Sequence, residues 1–76
     1  MTQALVLMIV DPKIELSVLN EIRSIPGVLD AKYIYGPYDI YVKIKGDSKE
    51  SVRSLVFDKI RGLYGVVSTT TCISYE

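Results

Sequence analysis

The spacing of hydrophobic and polar residues divides the chain into six segments of regular secondary structure. Residues 4–10 are apolar at every position, which is typical of a central strand covered on both faces. Two later segments carry apolar residues at helical spacing, in stripes that begin at Ile14 and at Val52, and they predict two helices. Alternating and β-branched patterns predict three more strands, over residues 28–35, 39–45 and 66–75.

Capping residues mark where the two helices begin. Asp11 is placed to cap the first helix, with Pro12 at its first position. Asp47 or Ser48 is placed to cap the second, and Asp47 stands at capping-box spacing from Glu50. These signals predict that both helices start directly after a strand.

The middle of the chain, residues 33–42, predicts two strands folded back on a tight turn at Gly36-Pro37. Alternation assigns one face of this hairpin to Ile34, Ile40, Val42 and Ile44. It assigns the opposite face to Tyr33, Tyr35 and Tyr41.

The two halves of the chain resemble each other. Residues 22–29 are echoed 38 residues later by residues 60–67. The element order is strand, helix, strand, strand, helix, strand, so each half is a βαβ unit. Right-handed crossovers then place both helices on one face of a four-stranded antiparallel sheet, which is the ferredoxin-like α+β fold in a single domain over residues 1–76.

Composition narrows the classes of function. Nine basic residues balance nine acidic ones, which argues against a dedicated nucleic-acid binder. The chain has no histidine, so imidazole acid–base chemistry is excluded, and Cys72 is its single cysteine. We therefore expect no enzyme activity, no metal and no cofactor. The longest apolar run is far shorter than the ~20 residues of a membrane span, and no secretory signal is recognised, so we expect a cytoplasmic protein.

The sheet face without helices is predicted to be an interface. We expect it to carry one apolar row of the first strand and, through the internal repeat, Thr69, Thr71 and Ile73 beside Tyr33, Tyr35 and Tyr41. Such a patch favours packing against a second copy of the chain. A solvated sheet with scattered tyrosines is the alternative.

Two polar groups are candidates for ligand binding. Tyr38-Asp39 follows the central turn, and residues 69–71 are three threonines in the last strand. A carboxylate accepts from an ammonium group and hydroxyls both donate and accept, so together they suit a small zwitterion. The alternative is that Asp39 binds backbone amides of the turn and that the threonines serve strand propensity. Both readings stay open on the residues alone.

Three stretches resemble a known family. They are Tyr35-Gly36-Pro37-Tyr38-Asp39, the segment from Ile60-Arg61 to Gly65-Val66, and Ser68-Thr69-Thr70-Thr71. Their order and spacing resemble the effector-binding (RAM) domain of the leucine-responsive regulator family, Lrp/AsnC, over essentially the whole chain. Full-length members carry an N-terminal helix-turn-helix, and no basic recognition helix precedes the first strand here. The resemblance therefore predicts a stand-alone version of the module.

The resemblance implies an assembly and a ligand. Family members dimerise through the sheet, the dimers often assemble into octameric rings of four dimers, and amino-acid effectors bind in clefts between dimers. By carry-over, Asp39 binds the effector's amino group. The turn with Gly36 and Tyr38, together with Thr69, Thr70 and Thr71, binds its carboxylate or side chain. Pro37 has no N–H to donate.

The residues and the family resemblance leave three alternative functions. The first is an amino-acid sensor that oligomerises and joins full-length regulators of this family. The second is a purely structural oligomerisation partner of such a regulator, which binds no effector. The third is a ferredoxin-like dimeric enzyme, which the absence of histidine disfavours.

Overall fold

The computed structural model describes residues 2–74, and these form the predicted ferredoxin-like fold. The strands are β1 Thr2–Val10, β2 Val28–Tyr33, β3 Ile40–Gly46 and β4 Val66–Ser74, in one antiparallel sheet of order β2-β3-β1-β4. The helices are α1 Glu15–Arg23 and α2 Lys49–Leu55, and α2 continues into a π-helical turn, Val56–Ile60. The predicted end of β4 at Tyr75 lies outside the described residues.

The core lies between the helices and one face of the sheet. Alternate residues of β1 point into it, since Val6 and Met8 are fully buried and their neighbours Leu5 and Leu7 are not. The helices contribute buried residues such as Leu19 and Ile22. β1 is central, as predicted, because it pairs with both β3 and β4. Within this chain, however, its second apolar row is not covered by a helix.

The start of α1 differs from the capping prediction, whereas α2 begins after Ser48, one of its two predicted caps. α1 begins at Glu15, one turn later than predicted, and its N-cap Ile14 offers no side-chain hydrogen bond. The Asp11 carboxylate instead accepts from the backbone N–H of Lys13 at 2.9 Å, in a local turn that competes with helix initiation. At α2, Ser48 is the cap, and it exchanges two hydrogen bonds with Ser51 in a capping box. Asp47 and Glu50 do not form the capping box.

The internal repeat is confirmed by the backbone geometry. Gly27 and Gly65 occupy equivalent positions, and both have a positive φ, +99° and +97°. The Gly27 carbonyl accepts from Lys45 N–H at 2.9 Å, and the Gly65 carbonyl accepts from Asp11 N–H at 2.8 Å. The same kind of glycine turn therefore joins each helix to the strand that follows it. In both turns the glycine carbonyl accepts one hydrogen bond from a neighbouring segment.

The predicted faces of the hairpin tyrosines are wrong for two of the three. Tyr33 lies opposite Ile40 in the β2–β3 ladder, and directly opposed residues share a face, so Tyr33 is on the helix-bearing side. β2 ends at Tyr33, and Tyr35 lies fully exposed in the connection. The alternation was counted through residues 34–39, which are not part of the β2–β3 ladder. Tyr41 is on the open face, as predicted, opposite Lys32.

The predicted face of the β4 residues is also wrong. Thr69 and Thr71 lie opposite Met8 and Val6, and Ile73 lies opposite Ala4, so all three share the helix-bearing face. Thr71 corresponds to Tyr33 in the internal repeat, and its face was predicted from that correspondence. The wrong face for Tyr33 was therefore carried over to β4. The open face of β4 carries Ser68, Thr70, Cys72 and Ser74.

Candidate functional site

Asp39 is held at the end of the central turn by three hydrogen bonds. Its backbone N–H donates to the Met8 carbonyl at 2.8 Å, and its own carbonyl accepts from Ile34 N–H at 3.0 Å. Its Oδ2 accepts from the backbone N–H of Val10 at 3.1 Å. In the part of the chain that the structure describes, Oδ1 has no hydrogen-bond partner. One carboxylate oxygen thus anchors the turn to β1, and the other is free to accept from a cation.

Tyr38, which precedes Asp39 in the turn, contacts Thr70 on the open face of the sheet. The Tyr38 hydroxyl and Thr70 Oγ1 are 3.4 Å apart, a long hydrogen bond in which either can donate. Thr70 is exposed and lies opposite Leu7 of β1. One of the two hydroxyls donates to the other in this bond, so the O–H of the second remains available to donate to a carboxylate oxygen. Of the six predicted ligand residues, Tyr38 and Thr70 are in contact with each other, and Asp39 adjoins Tyr38 in the chain.

Gly36 and Pro37 form the exposed tip of the same turn. Gly36 has a φ of +120°, a conformation that residues with a side chain rarely adopt, and a methyl group there would contact nothing within 4 Å. Its role is therefore conformational: it allows the chain to turn back so that Tyr38 and Asp39 reach β1.

Thr69 and Thr71 are separated from this cluster by the sheet. They lie on the helix-bearing face and line a groove with Arg53, Phe57 and Arg61. The predicted ligand residues thus divide into two groups on opposite faces. The three threonines are adjacent in the sequence and were predicted to share one site, but adjacent residues of a strand alternate between faces.

The open face of the sheet is apolar at its centre. Leu5 is 38% exposed, and Leu7 and Ile9 are half-buried beside it along β1. Tyr41 flanks this row, with Lys32 Nζ 5.7 Å from the centre of its ring. A shallow cavity of 420 Å³ on this face is lined chiefly by Gln3, Leu5, Tyr41, Lys43, Cys72 and Ser74.

A comparison with family models identifies the chain. Residues 3–76 match the model described as the Lrp/AsnC ligand binding domain. The chain belongs to this family. The turn with Asp39 and the four strands of the sheet all lie within the residues that this family model matches.

Relatives of this Lrp/AsnC domain include longer regulators. An uncharacterized helix-turn-helix-type transcriptional regulator of Pyrococcus abyssi is 35% identical over 78 residues, which cover 99% of this chain and 52% of the relative. The chain therefore spans about half the length of the curated relatives it matches.

Solved structures share the fold. The crystal structure of FFRP-DM1 is 29% identical in sequence and has a TM-score of 0.93. The match covers 99% of this chain and 100% of that one. A transcriptional regulator of Neisseria meningitidis, solved as an L-Met complex, is 16% identical with a TM-score of 0.88. The match covers 99% of this chain and 50% of that one, and shows the fold.

Residues 2–74 contain neither a membrane-spanning helix nor a metal-binding cluster of side chains. No helix there is long and apolar enough to cross a membrane. No group of acidic, histidine or cysteine side chains in the same range is arranged to hold a metal ion. The candidate sites in this part of the chain are the turn with Asp39 and the groove beside β4.

Proposed function

We propose that this Lrp/AsnC domain is a non-enzymatic sensor that binds an amino-acid effector and oligomerises through its sheet, as part of transcriptional regulation. Two comparisons support the proposal: the curated relatives are named as transcriptional regulators, and the Neisseria regulator of the same fold was solved with L-Met. The observation that carries it is the Asp39 carboxylate, fixed through one oxygen and free at the other.

The proposed contacts follow the chemistry of a zwitterion. The ammonium group donates to Asp39 Oδ1, and the carboxylate accepts from whichever hydroxyl of the Tyr38–Thr70 pair does not donate to the other. Gly36 shapes the turn that carries Tyr38 and Asp39. Thr69 and Thr71 lie on the other face of the sheet and line a separate groove.

The proposed dimer buries the open face. Leu5, Leu7, Ile9 and Tyr41 form an apolar strip there, and a chain of 76 residues gains from burying more apolar surface than its own core provides. Zero net charge leaves little repulsion between copies. In this proposal dimers assemble further into the octameric ring, or join a full-length regulator, and the effector favours one assembly over another.

A thermal-shift screen against the twenty amino acids, with light scattering on the same samples, tests the proposal. A ligand that binds the folded protein at a hundred times its Kd adds about 2.7 kcal/mol of stability. We expect one or a few amino acids to raise the melting temperature and to change the assembled mass. If the protein is an oligomer and no amino acid changes its melting temperature, the sensor proposal is contradicted and the structural-partner alternative is favoured. The role of Asp39 would then be limited to its hydrogen bond with Val10 N–H.

A further inference from the structure

A second cavity lies on the helix-bearing side of the sheet, opposite the face that carries Thr70. It is an open groove of about 540 Å³ between edge strand β4 and the segment formed by α2 and its π-helical turn. Arg53, Phe57 and Arg61 line it from the helical side, and Thr69 and Thr71 line it from β4. Its size falls within the range of small-molecule sites.

The internal repeat shows that the fold does not require this groove. Phe57 corresponds to Leu19 in the first half of the chain. Leu19 is 1% exposed and packs in the core of the molecule, whereas Phe57 is 65% exposed. The same position thus serves core packing in one half and presents an aromatic ring to solvent in the other.

The arginines of the two halves also differ in what they contact. Arg23 donates from Nε and Nη2 to the carbonyl of Ala31, at 3.1 and 2.9 Å, and so ties α1 to edge strand β2. Its counterpart Arg61 lies over the Phe57 ring instead, 5.2 Å from the centroid. Thr69 takes the place of Ala31 and adds a hydroxyl. In the first half of the chain, the Arg23 side chain connects α1 to β2 by hydrogen bonds. In the second half, the equivalent place is an open groove lined by hydrogen-bond donors.

The π-helical turn shapes the helical wall. The backbone N–H of Arg61 donates to the carbonyl of Val56, five residues earlier, at 2.8 Å. This wider turn follows α2 directly, and Phe57 and Arg61 project from it into the same groove. Single π-helical turns within helices occur frequently at functional sites.

The lining is cationic with an apolar floor. Within residues 2–74, neither Arg53 nor Arg61 forms an ion pair. Val56 and Ile73 supply apolar surface beneath them, and the groove lining contains no carboxylate among these residues. An ammonium group would therefore find no anionic partner in this part of the groove. An oxyanion would find two guanidinium groups and two hydroxyls.

We propose that this groove binds a small organic anion, with a carboxylate or phosphate group held by Arg53, Arg61 and the hydroxyls of Thr69 and Thr71. The apolar part of the ligand packs against Phe57. This site is separate from the proposed amino-acid site, because it lies on the opposite face of the sheet and selects an anion rather than a zwitterion. The domain thereby responds to a second ligand class independently of Asp39.

A titration followed by ¹H–¹⁵N NMR tests the chemistry with three probes that share an aromatic ring. Phenyl phosphate and benzoate carry the two kinds of oxyanion, and benzamidine carries a cation on the same ring. We expect one or both anions to shift the backbone signals of Thr69, Thr71 and Arg61 in a saturable way, and the tighter of the two identifies the source. No saturable shift with either anion, or an equal shift with benzamidine, would overturn the proposal.

Three variants test the location. Arg53→Gln and Arg61→Gln each remove a charged donor and should weaken binding about tenfold or more. Lys59→Gln is the matched control, because it removes the same charge from the same helical segment but does not line the groove. It should leave the affinity within about twofold. Equal weakening by Lys59→Gln, or unchanged binding by both arginine variants, would show a diffuse charge effect and contradict the site.

Discussion

At the scale of single residues, Asp39 has two tasks for its two carboxylate oxygens. Oδ2 accepts from Val10 N–H and fixes the turn against β1, while Oδ1 is available for a ligand. Asparagine at this position keeps an oxygen that can accept from Val10 but removes the charge that attracts an ammonium group. A structural role and a binding role for Asp39 can therefore be measured separately.

Gly65 illustrates how strongly one residue constrains the packing. Its φ is +97°, and a methyl group there would collide with the side chain of Ile14. We expect Gly65→Ala to lower the free energy of unfolding by about 1–3 kcal/mol, through backbone strain and this collision. Urea denaturation followed by circular dichroism measures the change.

Gly62→Ala is the control for that variant. Gly62 lies in the same segment, has no positive φ, and a methyl group there would meet nothing within 4 Å. Alanine should be neutral or should stabilise by up to about 1 kcal/mol, since it reduces the freedom of the unfolded chain. If both alanines destabilise the protein equally, strain at Gly65 is not the cause.

At the scale of elements, the capping box at Ser48 fixes the start of α2. Ser48→Ala removes the side-chain acceptor for Ser51 N–H, so we expect a loss of about 1 kcal/mol of stability. Ser54→Ala, at an exposed position within the same helix, should be neutral or slightly stabilising. A thermal melt of each variant checks this, and equal losses at both positions would contradict the assigned cap.

The order and type of the elements could be predicted from the sequence because they follow from local patterns. Helical stripes, β-branched runs and the repeated glycine turn are each contained in a few residues. The start of α1 was missed because the Asp11 side chain satisfies the N–H of Lys13 in a turn of its own. At α2, both Asp47 and Ser48 are residues that favour the N-cap position, so the sequence alone did not distinguish between them.

The assignment of residues to sheet faces could not be predicted from the sequence with the same success. It depends on which residues of two strands stand opposite each other, and that register was unknown for Tyr33 and Thr71. The three adjacent threonines were predicted to form one ligand site, and the structure divides them between two faces because adjacent residues of a strand alternate. The groove with Arg53, Phe57 and Arg61 was missed, although the pairing of Phe57 with Leu19 in the internal repeat was a signal that could have revealed it.

At the scale of the whole molecule, the single chain covers only one of the two faces of its sheet. The helices pack on one face, and the row of Leu5, Leu7 and Ile9 remains accessible on the other. A second copy placed on this face would give β1 the two-sided cover that its uniformly apolar sequence predicts.

Leu5→Lys tests that arrangement. In a symmetric dimer the substitution acts twice, and each buried leucine contributes about 1.5–3 kcal/mol, so the dimer should weaken by about a hundredfold or more. Leu16→Lys is the matched control, because Leu16 is 61% exposed on α1, away from the open face. Light scattering over a dilution series gives both masses. A Leu5→Lys protein that dissociates no more readily than the Leu16→Lys control would place the interface elsewhere.

The most direct test of the sensor proposal is a calorimetric titration of the best amino acid from the thermal screen into the wild type, Asp39→Asn and Asp47→Asn. Asp47 is an exposed carboxylate outside the proposed site, so its variant controls for the loss of one charge. We predict that Asp39→Asn keeps the fold and the assembly but weakens binding about ten- to a hundredfold, while Asp47→Asn leaves it unchanged. Equal affinity in all three proteins would contradict the assignment of Asp39 to the effector's ammonium group.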